Sequence, residues 1–199
     1  ESPGLLRLKG EAREVTSLFA DIEGFSGMTH RLGPEALVAV LDRYFTLTGA
    51  IVLRHGGMID KIVGDSIHAL FNAPLDQPGH VDAALACAAE IRATTEALRW
   101  EPAMAAAGLG ATRIGIETGR AVLGDVGSGA RIDYTAYGDV VNLAARLQDV
   151  NKELGTKVCI GPGAAAAAKA PLRPLGEVNV RSFGRVAVFT LPDQSPTLA

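Results

Sequence analysis

Two hydrophobic rhythms run along this chain. Val15-Thr16-Ser17-Leu18-Phe19-Ala20 is a short, partly β-branched apolar run stopped by Asp21, which predicts a buried strand presenting a carboxylate at its end. A turn is expected next, through Gly24 and Gly27. From Pro34 the rhythm changes: Leu37, Val40, Leu41, Tyr44, Phe45, Thr48, Ile51 and Val52 recur at three- and four-residue spacing. That spacing predicts a long amphipathic helix, opened by Pro34 and closed by Gly56-Gly57. Met58 to Val63 and Ser66 to Phe71 are short apolar runs split by Gly64-Asp65, a hairpin signal with Asp65 at the tip.

Val81, Ala84, Leu85, Ala88, Ile91 and Leu98 mark a second amphipathic helix, followed by a loose stretch from Pro102 to Gly110. Thr112 to Glu117 and Arg120 to Gly124 read as another hairpin-like pair, Arg131 to Tyr137 as a strand, and Val140 to Val150 as a third helix opened by Gly138-Asp139. A strand at Lys157 to Ile160, an Ala-rich helix at Gly163 to Ala170, and strands near Val178 to Val180 and Val186 to Leu191 complete the pattern. The order predicts an α+β fold: a ferredoxin-like βαββαβ core with additional C-terminal strands and a helix. Residues 1–13 read as a linker from an upstream region, 14–191 as one domain and 192–199 as a tail.

Composition narrows the class. With 199 residues, 48% hydrophobic and 21% charged, the chain is ordinary for one soluble globular domain. A net charge of −3 gives no general attraction for nucleic acid or acidic membranes, so any basic site must be local. Cys87 and Cys159 lie apart in apolar surroundings, without metal-ligand spacing, and read as buried thiols in a reducing compartment. No uninterrupted apolar run reaches the roughly 18 residues needed to cross a bilayer. There is no signal-peptide pattern at Glu1, and the expectation is a cytoplasmic domain, with a membrane-anchored parent left open.

The candidate chemistry lies in three segments. Taken singly, Asp21 at a strand end and Asp65 in a turn are more often structural than metal-binding. Taken together, Phe19-Ala20-Asp21-Ile22-Glu23-Gly24-Phe25-Ser26 and Lys61-Ile62-Val63-Gly64-Asp65-Ser66 resemble the two metal-site motifs of class III adenylyl and guanylyl cyclases. A third match follows in order: Asp133-Tyr134-Thr135-Ala136-Tyr137-Gly138-Asp139-Val140-Val141-Asn142-Leu143-Ala144-Ala145-Arg146-Leu147. The resemblance covers about Glu14 to Leu191.

What the resemblance implies is specific. Asp21, Asp65 and the backbone carbonyl of Ile22 would hold two divalent cations, Mg²⁺ or Mn²⁺, which take oxygen ligands. Glu23, Gly24, Phe25 and Ser26 would cradle a triphosphate, with Arg131 and Arg181 as weaker basic contacts. The latter departs from the family, because Arg181-Ser182-Phe183-Gly184 lacks a second basic residue. Asn142 and Arg146, on one helix face, would orient the ribose and stabilise charge at the reacting phosphate.

Lys61 and Thr135 would read the base. A lysine donor complements adenine N1 and a hydroxyl can accept from N6, so ATP is favoured over GTP, although a hydroxyl can also donate. The expected reaction turns ATP into 3′,5′-cyclic AMP and pyrophosphate. In the family the aspartates come from one subunit and the base-reading and Asn/Arg pairs from the other, which implies a homodimer with shared sites. Guanylate cyclase, or a silent cyclase-like nucleotide-binding module, is the alternative. A diguanylate cyclase is disfavoured because its G-G-[DE]-E-F hairpin is absent. Glu117 and His68 depart from the family but lie outside its essential set. His30, His55 and His80 read as surface or turn residues.

Overall fold

The computed structural model describes residues 10–128 and 131–192, without the side chains of residues 125–133. Both thirteen-residue-linker and tail expectations fall largely on residues outside these.

One mixed sheet of eight strands carries the fold, in the order β2-β3-β1-β4-β6-β8-β7, with β5 paired to β4 off that path. β1 spans Glu11–Ile22, β2 Met58–Val63, β3 Ser66–Phe71, β4 Thr112–Ser128, β5 Arg131–Tyr137, β6 Val158–Ile160, β7 Arg173–Val180 and β8 Gly184–Thr190. The helices are α1 (Phe25–Arg31), α2 (Pro34–Arg54), α3 (His80–Arg99), α4 (Pro102–Ala107), α5 (Asp139–Leu154) and α6 (Pro162–Ala167). The expected α+β class holds, as do the β2–β3 hairpin, α2, α3 and α5.

β1 lies between β3 and β4, antiparallel to both. Its side chains alternate between two faces, as strand geometry requires. On one face Leu18 and Ala20, with Ile114 and Ile116 of β4, pack against Ile51 and Val52 of α2 and Leu85, Ala88 and Ile91 of α3. On the other, Val15 packs with Leu123, Ala136 and Val140, the last at the start of α5. Phe19 is only half-buried and Asp21 partly exposed on this second face, so α5 leaves its far end open.

α5 comes unusually close to β4. A Cβ on Gly115 would stand 2.2 Å from the Ala144 carbonyl oxygen and 2.3 Å from the Gln148 nitrogen, so only glycine permits this seat. The close approach turns the inward face of α5 toward the end of β1.

Four local expectations give way. Thr112 to Gly124 is one continuous strand rather than a hairpin, because β1 pairs with it from Ile22↔Thr112 to Glu11↔Leu123 and removes any turn at Thr118-Gly119. The turn after Asp21 becomes a short helix, α1, entered through Gly24 at φ 73°. The loose stretch holds α4, which starts on Pro102 and stops at Gly108 in the left-handed region, and is too short to show a period. β1 also opens at Glu11, earlier than the expected start near Glu14.

Among the described residues one helix, α2, is long and apolar enough by composition to cross a membrane, with a mean hydropathy of 1.6. Its Val40, Tyr44, Thr48, Ile51 and Val52 are buried in the protein core instead. Cys87 and Cys159 are free and buried, and burial pushes both thiols up to about 12.

Candidate active site

Asp21 stands next to the last residue of β1 and faces the α5 side of the sheet. Two groups hold its carboxylate: Arg113, its cross-strand neighbour on β4, donates from Nε and Nη2 at 3.3 Å each, and Gln148 of α5 donates from Nε2 at 2.6 Å. Burial raises the Asp21 carboxyl above its ordinary value. Arg113 opposes this, and the charges of Asp65 and Asp149 reinforce it. A site that concentrates acidic groups in this way favours a cation.

Asp65 reaches the same place from the β2–β3 turn. Gly64, at φ 61°, supplies the left-handed residue this tight turn requires, and the Asp65 Oδ2 accepts from the Ile22 backbone N–H at 3.3 Å. The structure therefore brings Asp21, Ile22 and Asp65 together, as the sequence suggested. Among the described residues no group of three or more His, Cys, Asp or Glu side chains could hold a metal. Two carboxylates and a carbonyl still suit a hard ion that completes its shell with water and phosphate oxygens.

The triphosphate expectation is narrowed. The Glu23 N–H is already used by the Ala111 carbonyl at 2.8 Å, and the Glu23 carboxylate pairs with Lys157 Nζ at 2.7 Å, which holds it below the ordinary carboxylate value. Gly24, Phe25 and Ser26 open α1, and their N–H groups make no backbone bond among the described residues. Phe25 itself packs beside Met28 and Tyr44.

Lys61 and Thr135 come from β2 and β5, and both act on the carboxyl of Asp60. The Asp60 side chain is 1% exposed; its Oδ2 lies 3.1 Å from Lys61 Nζ and 2.8 Å from His68 Nδ1. His68 Nε2 meets the Ser17 hydroxyl at 2.9 Å, and its ring stacks on Phe19 at 4.1 Å. Burial would raise the Asp60 carboxyl, but hydrogen bonding from His68 and Thr135, the His68 charge and Lys61 together hold it below its ordinary value.

Asn142 and Arg146 are exposed on α5. Neither side chain makes a hydrogen bond or ion pair among the described residues, and it is Gln148 that α5 presents to Asp21. Arg181 is exposed in the β7–β8 turn, and the Arg131 side chain lies outside the described residues. Sequence reasoning missed Arg113, Gln148, Lys157 and Asp60. The first three acquire meaning only once strand register and helix placement are known; Asp60 carried a local signal, as the acidic neighbour of Lys61.

Comparison with known proteins places this geometry. The family described as the adenylate and guanylate cyclase catalytic domain matches residues 9–192. Adenylate cyclase 1 of Rhizobium meliloti is 40% identical over 173 residues, covering 85% of this chain and 26% of the relative. The adenylate cyclase of Anabaena cylindrica is 35% identical over 152 residues, covering 74% and 29%. The chain thus spans little more than a quarter of these relatives. The crystal structure of the adenylyl cyclase CyaB from P. aeruginosa superposes with a TM-score of 0.84 at 30% identity, covering 96% of this chain and all of that one. The guanylyl cyclase Cya2 superposes at 0.81 with 28% identity, covering 95% and 98%, so the fold alone does not separate the two activities. From the matched span and the motifs on β1, β2–β3 and α5, this chain belongs to the adenylate and guanylate cyclase catalytic-domain family.

Proposed function

We propose that this chain is an adenylate cyclase catalytic domain, converting ATP to 3′,5′-cyclic AMP and pyrophosphate at sites shared by two copies. The observation that supports adenine is the meeting of Lys61 and Thr135, from separate strands, at one carboxylate. Lys61 donates to adenine N1 and the Thr135 hydroxyl accepts from N6, whereas guanine would set its N1–H against a donor.

Asp21, Asp65 and the Ile22 carbonyl are the residues that would hold divalent ions, and such ions supply positive charge to the 3′-oxygen and the triphosphate. The free N–H groups at Gly24 to Ser26 point charge-complementary dipoles at phosphate oxygens. Arg113 and Gln148 fix the Asp21 carboxylate in one orientation. Arg146 stabilises charge developing at the α-phosphate and Asn142 orients the ribose, so that the 3′-oxygen attacks in line with the leaving pyrophosphate.

Within one copy Asn142 and Arg146 are exposed on α5 and make no bond to Asp21 or Asp65 among the described residues, and a two-fold dimer would join each half to its complement. The test is to incubate the purified chain with Mg²⁺ or Mn²⁺ and ATP or GTP in parallel, and identify products. Cyclic AMP is expected from ATP. No cyclic product from either nucleotide would leave a silent binding module as the better reading. Asp65→Ala and Arg146→Ala, each inactive, should regain partial activity when mixed; no recovery where mixed dimers demonstrably form would sink the shared site.

A further inference from the structure

Lys61 and Thr135 do not by themselves settle which base is read. Lysine can only donate, but a threonine hydroxyl carries one proton and can turn it either way, toward guanine O6 or away from adenine N6. The direction of that proton is therefore a specificity determinant, and something must set it.

Asp60 is built to do so. The pairing of β2 with β3 slips between Ile59↔Ala69 and Lys61↔His68, which makes Asp60 the extra residue of a bulge and puts Asp60 and Lys61 together opposite His68. The side chain is 1% exposed yet carries a carboxylate. Its Oδ2 receives Lys61 at 3.1 Å and His68 at 2.8 Å, while the buried Oδ1 has no hydrogen-bond partner among the described residues. The Thr135 hydroxyl, buried on β5, lies near enough to influence this carboxyl and is available to donate to the unpartnered Oδ1. His68 in turn is clamped by Ser17 at 2.9 Å and stacked on Phe19, so the carboxylate is braced from β1 and β3.

We propose that Asp60 sets the proton direction of the base-reading pair: an ionised carboxylate only accepts, so it draws the Thr135 proton toward itself and leaves that hydroxyl able only to accept from the base. The same carboxylate holds Lys61 with its remaining N–H groups free to donate to N1. Asp60 is thus a positioning residue that acts through Thr135 and Lys61 and confers adenine selectivity. This rests on the adenylate reading above.

Asp60→Asn is the informative change, because it keeps the shape but places an amide that can donate to Thr135 and reverse its hydroxyl. In steady-state assays of the full chain with ATP and GTP, the ratio of kcat/KM values for ATP over GTP is expected to fall by about tenfold or more. In a Thr135→Val background the same change should shift the ratio by no more than about twofold, since the proton it directs is gone. A ratio unchanged in Asp60→Asn, or lowered equally with and without Thr135, overturns the proposal.

If Asp60→Asn fails to fold, judged by its melting transition, His68 carries the test. His68→Gln keeps a donor toward Asp60 and should retain selectivity, whereas His68→Leu unbraces the carboxylate and should lower the ratio; equal ratios in these two overturn the proposal. Lys61→Ala and Thr135→Val distinguish the two levels of inference. If neither alters the ratio, the base-reading pair itself is wrong; if they alter it and Asp60→Asn does not, only the role of Asp60 is lost.

Discussion

Two acidic side chains are buried on the α5 side of the same sheet, and their surroundings could hardly differ more. Asp60 on β2 is met by Lys61 and His68, and its carboxyl is held below the ordinary value. Glu117 on β4 is 3% exposed and meets no cation among the described residues. Its Oε1 accepts the Thr118 N–H at 2.9 Å and the Ala164 N–H at 3.2 Å at the start of α6, its Oε2 has no partner, and burial pushes its carboxyl up to about 7. The difference teaches where function lies: a buried carboxylate kept charged by partners costs polar groups from several elements, and one allowed to hold a proton is a packing part.

The contrast extends to Asp21, which is buried, opposed by Asp65 and Asp149, and only partly compensated by Arg113. Removing it tests whether that strain serves catalysis. Asp21→Ala should lower cyclic AMP formation by about a thousandfold or more while leaving the melting temperature little changed, as measured by product assay and calorimetry. A large loss of stability with partial activity would put Asp21 on the structural side of the comparison.

Gly115→Ala probes the link between the two regions, since the new Cβ would strike the Ala144 carbonyl and the Gln148 nitrogen. Displacing α5 should destabilise the fold by about 3 kcal/mol in denaturant titration and withdraw Gln148 from Asp21, so activity falls even where the protein remains folded. Unchanged stability would mean that α5 is not seated by this glycine.

The smallest effect concerns Glu117. Its folded pKa is raised, so between about pH 4.5 and 7 the folded state holds a proton the unfolded state has released, and stability falls as pH rises through that window. The loss attributable to this group is complete once the pH has risen well above 7. Glu117→Gln should be more stable than the parent at pH 8 and differ little at pH 4.5, read from paired denaturant curves. An identical difference at both values would show that Glu117 stays ionised.

The fold was legible wherever one element declares its own period. α2 and α5 show helical spacing, and the β2–β3 turn is marked by Gly64-Asp65, so the elements carrying Asp65, Asn142 and Arg146 could be placed from sequence. β4 could not, because Thr118-Gly119 looks like a turn until β1 pairs across it. The same limit applies to the site. Asp21 and Asp65 announce themselves by motif, but the groups that orient them do not: Arg113 is opposite Asp21 only by strand register, and Gln148 reaches it only because Gly115 lets α5 sit close. Period-two and period-3.6 patterns describe each element alone, and contacts between elements lie beyond them.

The slipped pairing at Ile59 to Lys61 bears on any attempt to re-engineer this centre. A strand with one residue fewer would regain regular pleating and send Asp60 and Lys61 to opposite faces. Grafting a guanine-reading side chain onto position 61 therefore changes one contact and leaves the proton-directing carboxylate beside it in place. Converting the nucleotide preference calls for exchanging the irregular tripeptide, with the residue facing it on β3, as one cassette.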